Sequence, residues 1–333
     1  MSLTPESHRL LYRVAQAYYL EGQTQQQIAE RFGVSRPKVS RLLQRARDAR
    51  IVNITLVPPP GGHANLEQAL EYRYSLDEAV VVQTSDPAAP GMVAHELGPA
   101  AADCLLRLLE PDCILGLAWG RSLLAMVEAL PAHPVTGVTV VQLNGGLGPV
   151  GMLEHSAELA RAAAQKLSAR LRLVPAPGIV STAEAARVLR ADAQIADALA
   201  TGASADIAVV GMGVPTPESV LLSSGSIVTT EDLVALAQAG AVGDIVLRYL
   251  DAAGSPIDLP LNDRIVGVTL DQLKAIPRVI GVAGGTGKLG IVRSALLAGL
   301  IDILVTDQMT AEMLLLDEMV KNETAGERGA RGG

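Results

Sequence analysis

Aromatic residues are nearly absent: one Phe, one Trp and six Tyr stand among 333 residues. The core has to be assembled from Ala, Leu, Val and Ile, and readers of single-stranded nucleic acid, which stack bases on aromatic platforms, are disfavoured. Cysteine is equally scarce. Cys104 and Cys113 cannot supply a four-ligand zinc site and read as core fillers. The five histidines (His8, His63, His95, His133 and His155) are scattered without metal-ligand spacing, so neither a metal nor another cofactor is expected. His95-Glu96 and Glu154-His155 read as surface helix. No run reaches about 18 apolar residues, which excludes a membrane span. The first residues lack an apolar stretch with a cleavage site behind it, so a soluble cytoplasmic protein with reduced thiols is expected.

What is present is apolar bulk and segregated charge. The chain is 49% hydrophobic and 19% charged, enough for a large core and too apolar for disorder. Its length suits roughly two domains. The net charge of −8 hides a division: residues 1–57 hold nine basic and four acidic side chains, a net of +5, and the remainder holds 18 and 31, a net of −13. A basic head on an acidic body is what contact with nucleic acid through the head alone requires.

The head reads as three helices and a strand. Leu10, Leu11, Val14, Ala17 and Tyr18 recur at helical spacing, and Gly22 ends that helix. Thr24 and Gln27 form a capping box before Ile28 and Ala29. Phe32-Gly33-Val34 makes a tight turn, Ser35 caps a third helix with Pro37 in its first turn, and Val39, Leu42 and Leu43 face inward. Residues 51–57 read as a strand, a wing. Helix, short helix, Gly turn and basic helix is the helix-turn-helix arrangement. Arg36, Lys38, Ser40, Arg41, Gln44 and Arg45 fall on the exposed side of the third helix, where Arg can hold guanine and Gln adenine. Thr24, Gln25 and Gln26 offer free N–H groups to a phosphate. A solvated basic face on an ordinary three-helix module is the plainer reading; the cap, the Gly turn and the charge division together favour DNA.

Pro58-Pro59-Pro60-Gly61-Gly62 is the strongest linker signal, and 65–74 reads as a connecting helix. Apolar strands follow at 79–83, 113–118, 138–143, 171–174, 206–211, 279–283 and 301–305. Helical stretches such as 93–109, 153–170 and 308–320 lie between most of them, which predicts a parallel sheet covered on both faces. Residues 243–258 read as a hairpin around Ala253-Gly254. The fold class is therefore α/β: a winged helix-turn-helix domain (1–57), a linker and connecting helix (58–77), a larger Rossmann-like effector and oligomerisation domain (78–320) and a mobile tail (321–333).

Four strands end in glycine: Gly116 to Ser122, Asn144 to Gly148, Gly211-Met212-Gly213 and Ala283 to Lys288. Ligands bind outside the carboxyl ends of parallel strands, and glycine lets backbone amides approach oxygen atoms. One such loop is ordinarily just a tight turn; four, two with an adjacent cation, favour an anionic or polyol ligand. Gly120, Arg121 and Ser122 suit a phosphate. Asp244 can accept sugar hydroxyls, whereas Asp258 and Asp263 read as solvated loop. Nucleotide hydrolysis is disfavoured: the glycine a P-loop needs before Gly287-Lys288 is Val282, and Leu289 replaces the Ser/Thr.

The segments TQQQIAERFGVSRPKVSRLLQRARDARIV (24–52), GLAWGRSL (116–123), VVQLNGGLG (140–148), ADIAVVGMG (205–213), GAVGDIVLRYLDAAG (240–254) and RVIGVAGGTGKLGIVRSALLAGLIDILVTDQMTA (278–311) resemble the SorC family of bacterial sugar-responsive transcriptional regulators. The likeness runs from Leu10 to about Leu316. It implies an effector domain similar to glucosamine-6-phosphate deaminase and ribose-phosphate isomerase folds without being an active enzyme. It also implies dimers or tetramers on double-stranded operator DNA and a phosphorylated sugar or polyol as effector. Carried over, Gly120, Arg121 and Ser122 would grip phosphate, Asn144, Gly145 and Gly146 would line the sugar, and Asp244 and Lys288 would hold hydroxyls or a second anionic group. Gly211, Gly213, Gly284 and Gly285 complete the expected effector set. On the DNA side the set is Thr24, Gln25, Ser35, Arg36, Lys38, Ser40, Arg41 and Arg45. None of the five lysines lies in a strand-end loop before Lys166, so binding is expected to be non-covalent. An isomerase or deaminase with an appended DNA-binding domain is the alternative, without a convincing pair of general acid and base in the loops. A DNA-organising protein with no ligand would leave the glycine loops unexplained.

Overall fold

The chain divides into two units, Met1–Pro60 and Gly61–Gly333. The computed structural model describes residues 5–54, 62–146, 156–215 and 228–316. The expectations for residues 55–61, Gly148, Glu154-His155 and the tail 321–333 lie outside the described residues.

In the first unit α1 (Pro5–Tyr19), α2 (Gln25–Phe32) and α3 (Arg36–Asp48) enclose one small core, with Leu11, Val14, Ala15, Ala17, Ile28, Ala29, Val39, Leu42, Leu43 and Ala46 buried. The expected capping box is present: Gln27 N–H donates to Thr24 Oγ1 at 3.3 Å, and Thr24 N–H donates to Gln27 Oε1 at 2.9 Å. Gly33 turns the chain into α3 at φ 64°. Three local expectations need correction. Tyr18 is exposed rather than inward, its ring edge-on to Tyr19 with centroids 5.0 Å apart. Ser35 occupies the cap position of α3 but makes no side-chain bond. Pro37 has no N–H to offer it, and Lys38 N–H goes to Ser35 O at 2.9 Å instead. Residues 51–54 form no strand: the N–H groups of Ile51 and Val52 both return to Ala46 O, closing the end of α3.

The second unit is built on β1 (Glu78–Val82), β2 (Ile114–Leu117), β3 (Thr139–Gln142), β4 (Arg170–Arg172), β5 (Ile207–Gly213), β6 (Ala241–Ile245), β7 (Arg248–Asp251), β8 (Val279–Val282) and β9 (Ile303–Asp307). Seven strands form a parallel sheet in the order β1-β9-β8-β5-β2-β3-β4, and β6 adds antiparallel to the end of β5 with β7 beyond it. Every residue of β8 and β9 is buried, as the uninterrupted apolar runs predict for strands covered on both faces. The edge strand β4 exposes Arg170 and Arg172, charges that oppose further strand pairing.

Helix α4 (Ala64–Tyr74) precedes β1, α5 (Pro90–Leu108) connects β1 to β2, and α6 (Arg121–Ala129) follows β2. A Cβ at Gly98 would stand 2.6 Å from the Ala125 carbonyl, so only glycine lets α5 pack this closely on α6. That contact fixes α6, which carries the Arg121-Ser122 end of the β2 loop.

The hairpin departs from expectation. Its turn is Val246-Leu247, with φ values of 47° and 67°, and Gly254 (φ 89°) makes only the next turn. Apolar residues hold the left-handed positions because both side chains are buried, at 3% and 0% exposure.

Candidate functional site

On the first unit Arg36, Lys38, Ser40, Arg41 and Arg45 are all exposed on α3. Among the described residues no carboxylate pairs with these four cations. Arg31 and Arg47 differ: Arg31 pairs with Glu21 at 2.5 Å, and Arg47 donates to Tyr19 Oη and Gln44 Oε1. Gln44 in turn donates to Asp48, so its amide is bound along its own helix instead of standing free for a base. Thr24, Gln25 and Arg36 line one shallow concavity at the start of α2. Ser35 is exposed beside it. The arrangement is a helix-turn-helix with a row of unpaired cations on its second helix, the form that enters a major groove.

On the second unit, parallel pairing brings the carboxyl ends of β2, β3, β5 and β8 to one edge. From β2 the chain proceeds to β3 and β4 on one side, while β5 leads to β8 and β9 on the other. The boundary between β2 and β5 is thus the topological switch point, the position at which α/β sheets bind ligands. Gly120 (φ 130°) swings the chain into α6, leaving Arg121 exposed and Ser122 buried at the helix start. A Cβ at Gly211 would stand 3.2 Å from the Trp119 carbonyl across that boundary. Gly213 stands opposite Asp244 in the β5–β6 pairing, and the Asp244 carboxylate fills the space a side chain there would take.

Lys288 lies within electrostatic reach of both Arg121 and Asp244. Burial pushes the Asp244 carboxyl up to about 6, against the pull of the Leu247 N–H and of Lys288. Burial lowers the half-buried Lys288 to about 8, with Arg121 adding to the effect and Asp244 opposing it. Two cations and one carboxylate at a helix start suit a ligand with an anionic end and hydroxyls.

The other glycines serve the fold more than the site. Gly145 N–H donates to Val266 O, Gly146 N–H to Ala176 O, and Gly285 N–H to Asp307 and Thr310. Gly284 lacks a Cβ because the Asp307 carboxylate stands there. Asn144 is different: it is 1% exposed, and among the described residues neither its Oδ1 nor its Nδ2 has a hydrogen-bond partner. A buried unsatisfied amide at a strand end offers one donor group and one acceptor to a guest.

Sequence reasoning missed Asp307 and Thr310, both fully buried, together with Thr306. The signal available was a polar Thr306-Asp307 pair ending an otherwise apolar strand. It also missed Arg248, which donates to Asn262 O and Val268 O, and which burial and neighbouring Arg190 lower to about 10. Cys104 and Cys113 are buried as expected, and burial raises both thiols. Asp258 and Asp263 are exposed. Among the described residues no cluster of His, Cys, Asp or Glu could hold a metal, and no helix is long and apolar enough to cross a membrane.

A helix-turn-helix head and an α/β body with polar and charged residues gathered at its strand ends define a ligand-responsive DNA-binding regulator. Comparison with known proteins agrees. Residues 59–316 match the family described as "Putative sugar-binding domain", and residues 2–49 match sigma-70 region 4. The deoxyribonucleoside regulator of Bacillus subtilis is 34% identical over 312 residues, covering 94% of this chain and 99% of the relative. The transcriptional regulator LsrR of an Enterobacter species is 34% identical, covering 95% and 94%. The crystal structure of the full-length sorbitol operon regulator SorC from Klebsiella pneumoniae superposes with a TM-score of 0.71 at 30% identity, covering 93% of this chain and 99% of that one. The chain belongs to the SorC family of sugar-responsive transcriptional regulators.

Proposed function

We propose that the protein represses a carbohydrate or polyol catabolic operon and that a phosphorylated sugar or polyol, bound non-covalently at the β2–β5 boundary, controls its operator affinity. The single observation that carries this reading is the placement of Lys288 within electrostatic reach of both Arg121 and Asp244, on loops and strands at the switch point of the sheet. Arg121, Ser122 and Lys288 hold the phosphate, with the Gly120 turn and Gly211 shaping the site. Asn144 and Asp244 take hydroxyls, and Gly145, Gly146, Gly213, Gly284 and Gly285 allow the close packing that sets these groups. On the DNA side, Arg36, Lys38, Ser40, Arg41 and Arg45 face the groove, while Thr24, Gln25 and Ser35 meet phosphates. The unit acts as a sensor and not as an enzyme, in keeping with relatives that are transcriptional regulators. The protein works in the cytoplasm as a homo-oligomer, since one head reads few base pairs and paired heads supply specificity.

A thermal-shift panel of sugar and polyol phosphates tests the sensing half. A cognate ligand stabilises the native state by mass action and raises the melting temperature. The Arg121→Ala variant should lose that rise. A panel in which no phosphate moves the native protein, or in which the variant responds like the parent, contradicts the assignment.

A further inference from the structure

We propose that Asp307 and Thr310 are positioning residues that set the ligand-facing Lys288 through a buried chain of hydrogen bonds. The inference rests on the reading of Lys288 as a phosphate ligand. Asp307 ends β9 and Thr310 lies one turn into the following helix; both are 0% exposed. Asp307 Oδ2 accepts Gly285 N–H at 2.6 Å and the Thr310 hydroxyl at 2.6 Å, and Oδ1 accepts Thr310 N–H at 3.0 Å. Thr310 Oγ1 also accepts Gly285 N–H at 3.0 Å. On the other side of the same residue, Gly285 O accepts Lys288 N–H at 2.9 Å, closing the single 3-10 turn Thr286–Lys288. Lys288 is therefore two hydrogen bonds from Asp307. Thr286 N–H, donating to Pro87 O at 3.3 Å, ties the loop to the segment after β1.

Asp307 satisfies three donors at once, the N–H groups of Gly285 and Thr310 and the Thr310 hydroxyl, so it ties the loop after β8 to the end of β9. Its value lies in geometry. The loop Gly284–Gly287 has three glycines in four residues and is soft by itself. A side chain at 284 would displace the Asp307 carboxylate, so the loop and the carboxylate fit only together. A lysine on such a loop holds an anion well only if its backbone is fixed before the ligand arrives.

The experiment is a titration of the native full-length protein with inorganic phosphate, followed by isothermal calorimetry, with melting temperature measured on the same samples. The variants are Lys288→Met, Thr310→Val, Thr310→Ser, Asp307→Asn and the double variant Lys288→Met/Thr310→Val. Lys288→Met should weaken phosphate binding. Thr310→Val and Asp307→Asn should each weaken it by about tenfold, the size of one hydrogen bond to a charged group. Thr310→Ser, which keeps the hydroxyl, should restore it. In the Lys288→Met background Thr310→Val should add no further loss, since residues acting through one another are not additive. Normal phosphate affinity in Thr310→Val, or full additivity in the double variant, overturns the proposal while Lys288→Met still weakens binding. Unchanged affinity in Lys288→Met itself overturns the parent reading and this one with it. Should Asp307→Asn fail to fold, the Thr310 pair decides alone.

Discussion

Asp244 Oδ2 accepts the backbone N–H of Leu247 at 3.1 Å and so closes a two-residue turn in which neither residue is Gly or Asn. One carboxylate thereby supports the hairpin and, on the proposed reading, also takes ligand hydroxyls. The two duties compete for the same oxygen atoms.

Ligand affinity should follow a bell-shaped pH profile. Asp244, raised to about 6, accepts strongly at both oxygens only once ionised, so affinity falls as pH drops below that value. Lys288, lowered to about 8, holds an anion only while protonated, so affinity falls as pH rises above it. Phosphate monoesters lose their second proton near pH 6 as well, and Asp244→Asn separates the two contributions on the acid limb. Lys288→Met should abolish the alkaline limb. The same shift has a stability sign. Asp244 binds its proton more tightly folded than unfolded, so its contribution is full below about pH 4 and declines as pH rises to about 6. Chemical denaturation of parent and Asp244→Asn between pH 4 and 7 checks that sign.

Replacing Val246-Leu247 by Asn-Gly should destabilise the protein although it supplies the preferred residues for this turn. Relief of left-handed strain is worth about 1–2 kcal/mol per residue. Removing the buried Leu247 side chain costs about 2–5 kcal/mol and losing the buried Val246 side chain about 1.5–3 more, at 0% and 3% exposure, against about 2–4 kcal/mol of relief over the two residues. Burial wins, so the urea midpoint should fall. A higher midpoint would show that strain dominates.

Asn144→Leu should trade function for stability. It removes two unsatisfied buried polar atoms, each costing about 1–3 kcal/mol, and keeps the branched four-atom shape at the cost of some added bulk. The melting temperature should rise while affinity for the best sugar phosphate falls. Retained affinity would place Asn144 outside the site.

Gly213→Ala should give a regulator that holds DNA but ignores ligand. The added methyl would displace the Asp244 carboxylate, while the head unit, with its own core of Leu11, Ile28 and Val39, is untouched. Gel shifts with and without ligand read both properties at once.

Much of this was legible in sequence where the information is local. Thr24 and Gln27 announce their capping box because both partners lie within one turn. The apolar strands stand out because parallel strands buried on both faces must be apolar throughout. The hairpin turn was not legible, since Val246 and Leu247 carry no turn signal and the visible one, Gly254, belongs to the next bend. Ser35 looked like a cap until Pro37 removed its donor. Of the candidate site, Arg121 and Asn144 could be named from strand-end position and Asp244 from its place after Gly243 in the hairpin. Which glycine N–H groups were already bonded depends on pairing between distant segments, as with Gly145 to Val266. The polar end of β9 was visible at Thr306-Asp307, but its bonding to Gly285, 22 and 25 residues from Asp307 and Thr310, was not, for the same reason.

The central claim is that anion binding at Arg121 and Lys288 governs the grip of α3 on DNA. Fluorescence anisotropy of labelled operator DNA with the full-length protein tests it most directly, using the sugar phosphate that gives the largest thermal shift. Saturating ligand should weaken operator binding by roughly 5–150-fold, the usual range of coupling between sites. The Arg121→Ala/Lys288→Met variant should bind DNA like the parent and show no such change. Operator affinity that ligand leaves untouched in the parent, or shifts equally in the variant, would contradict the account.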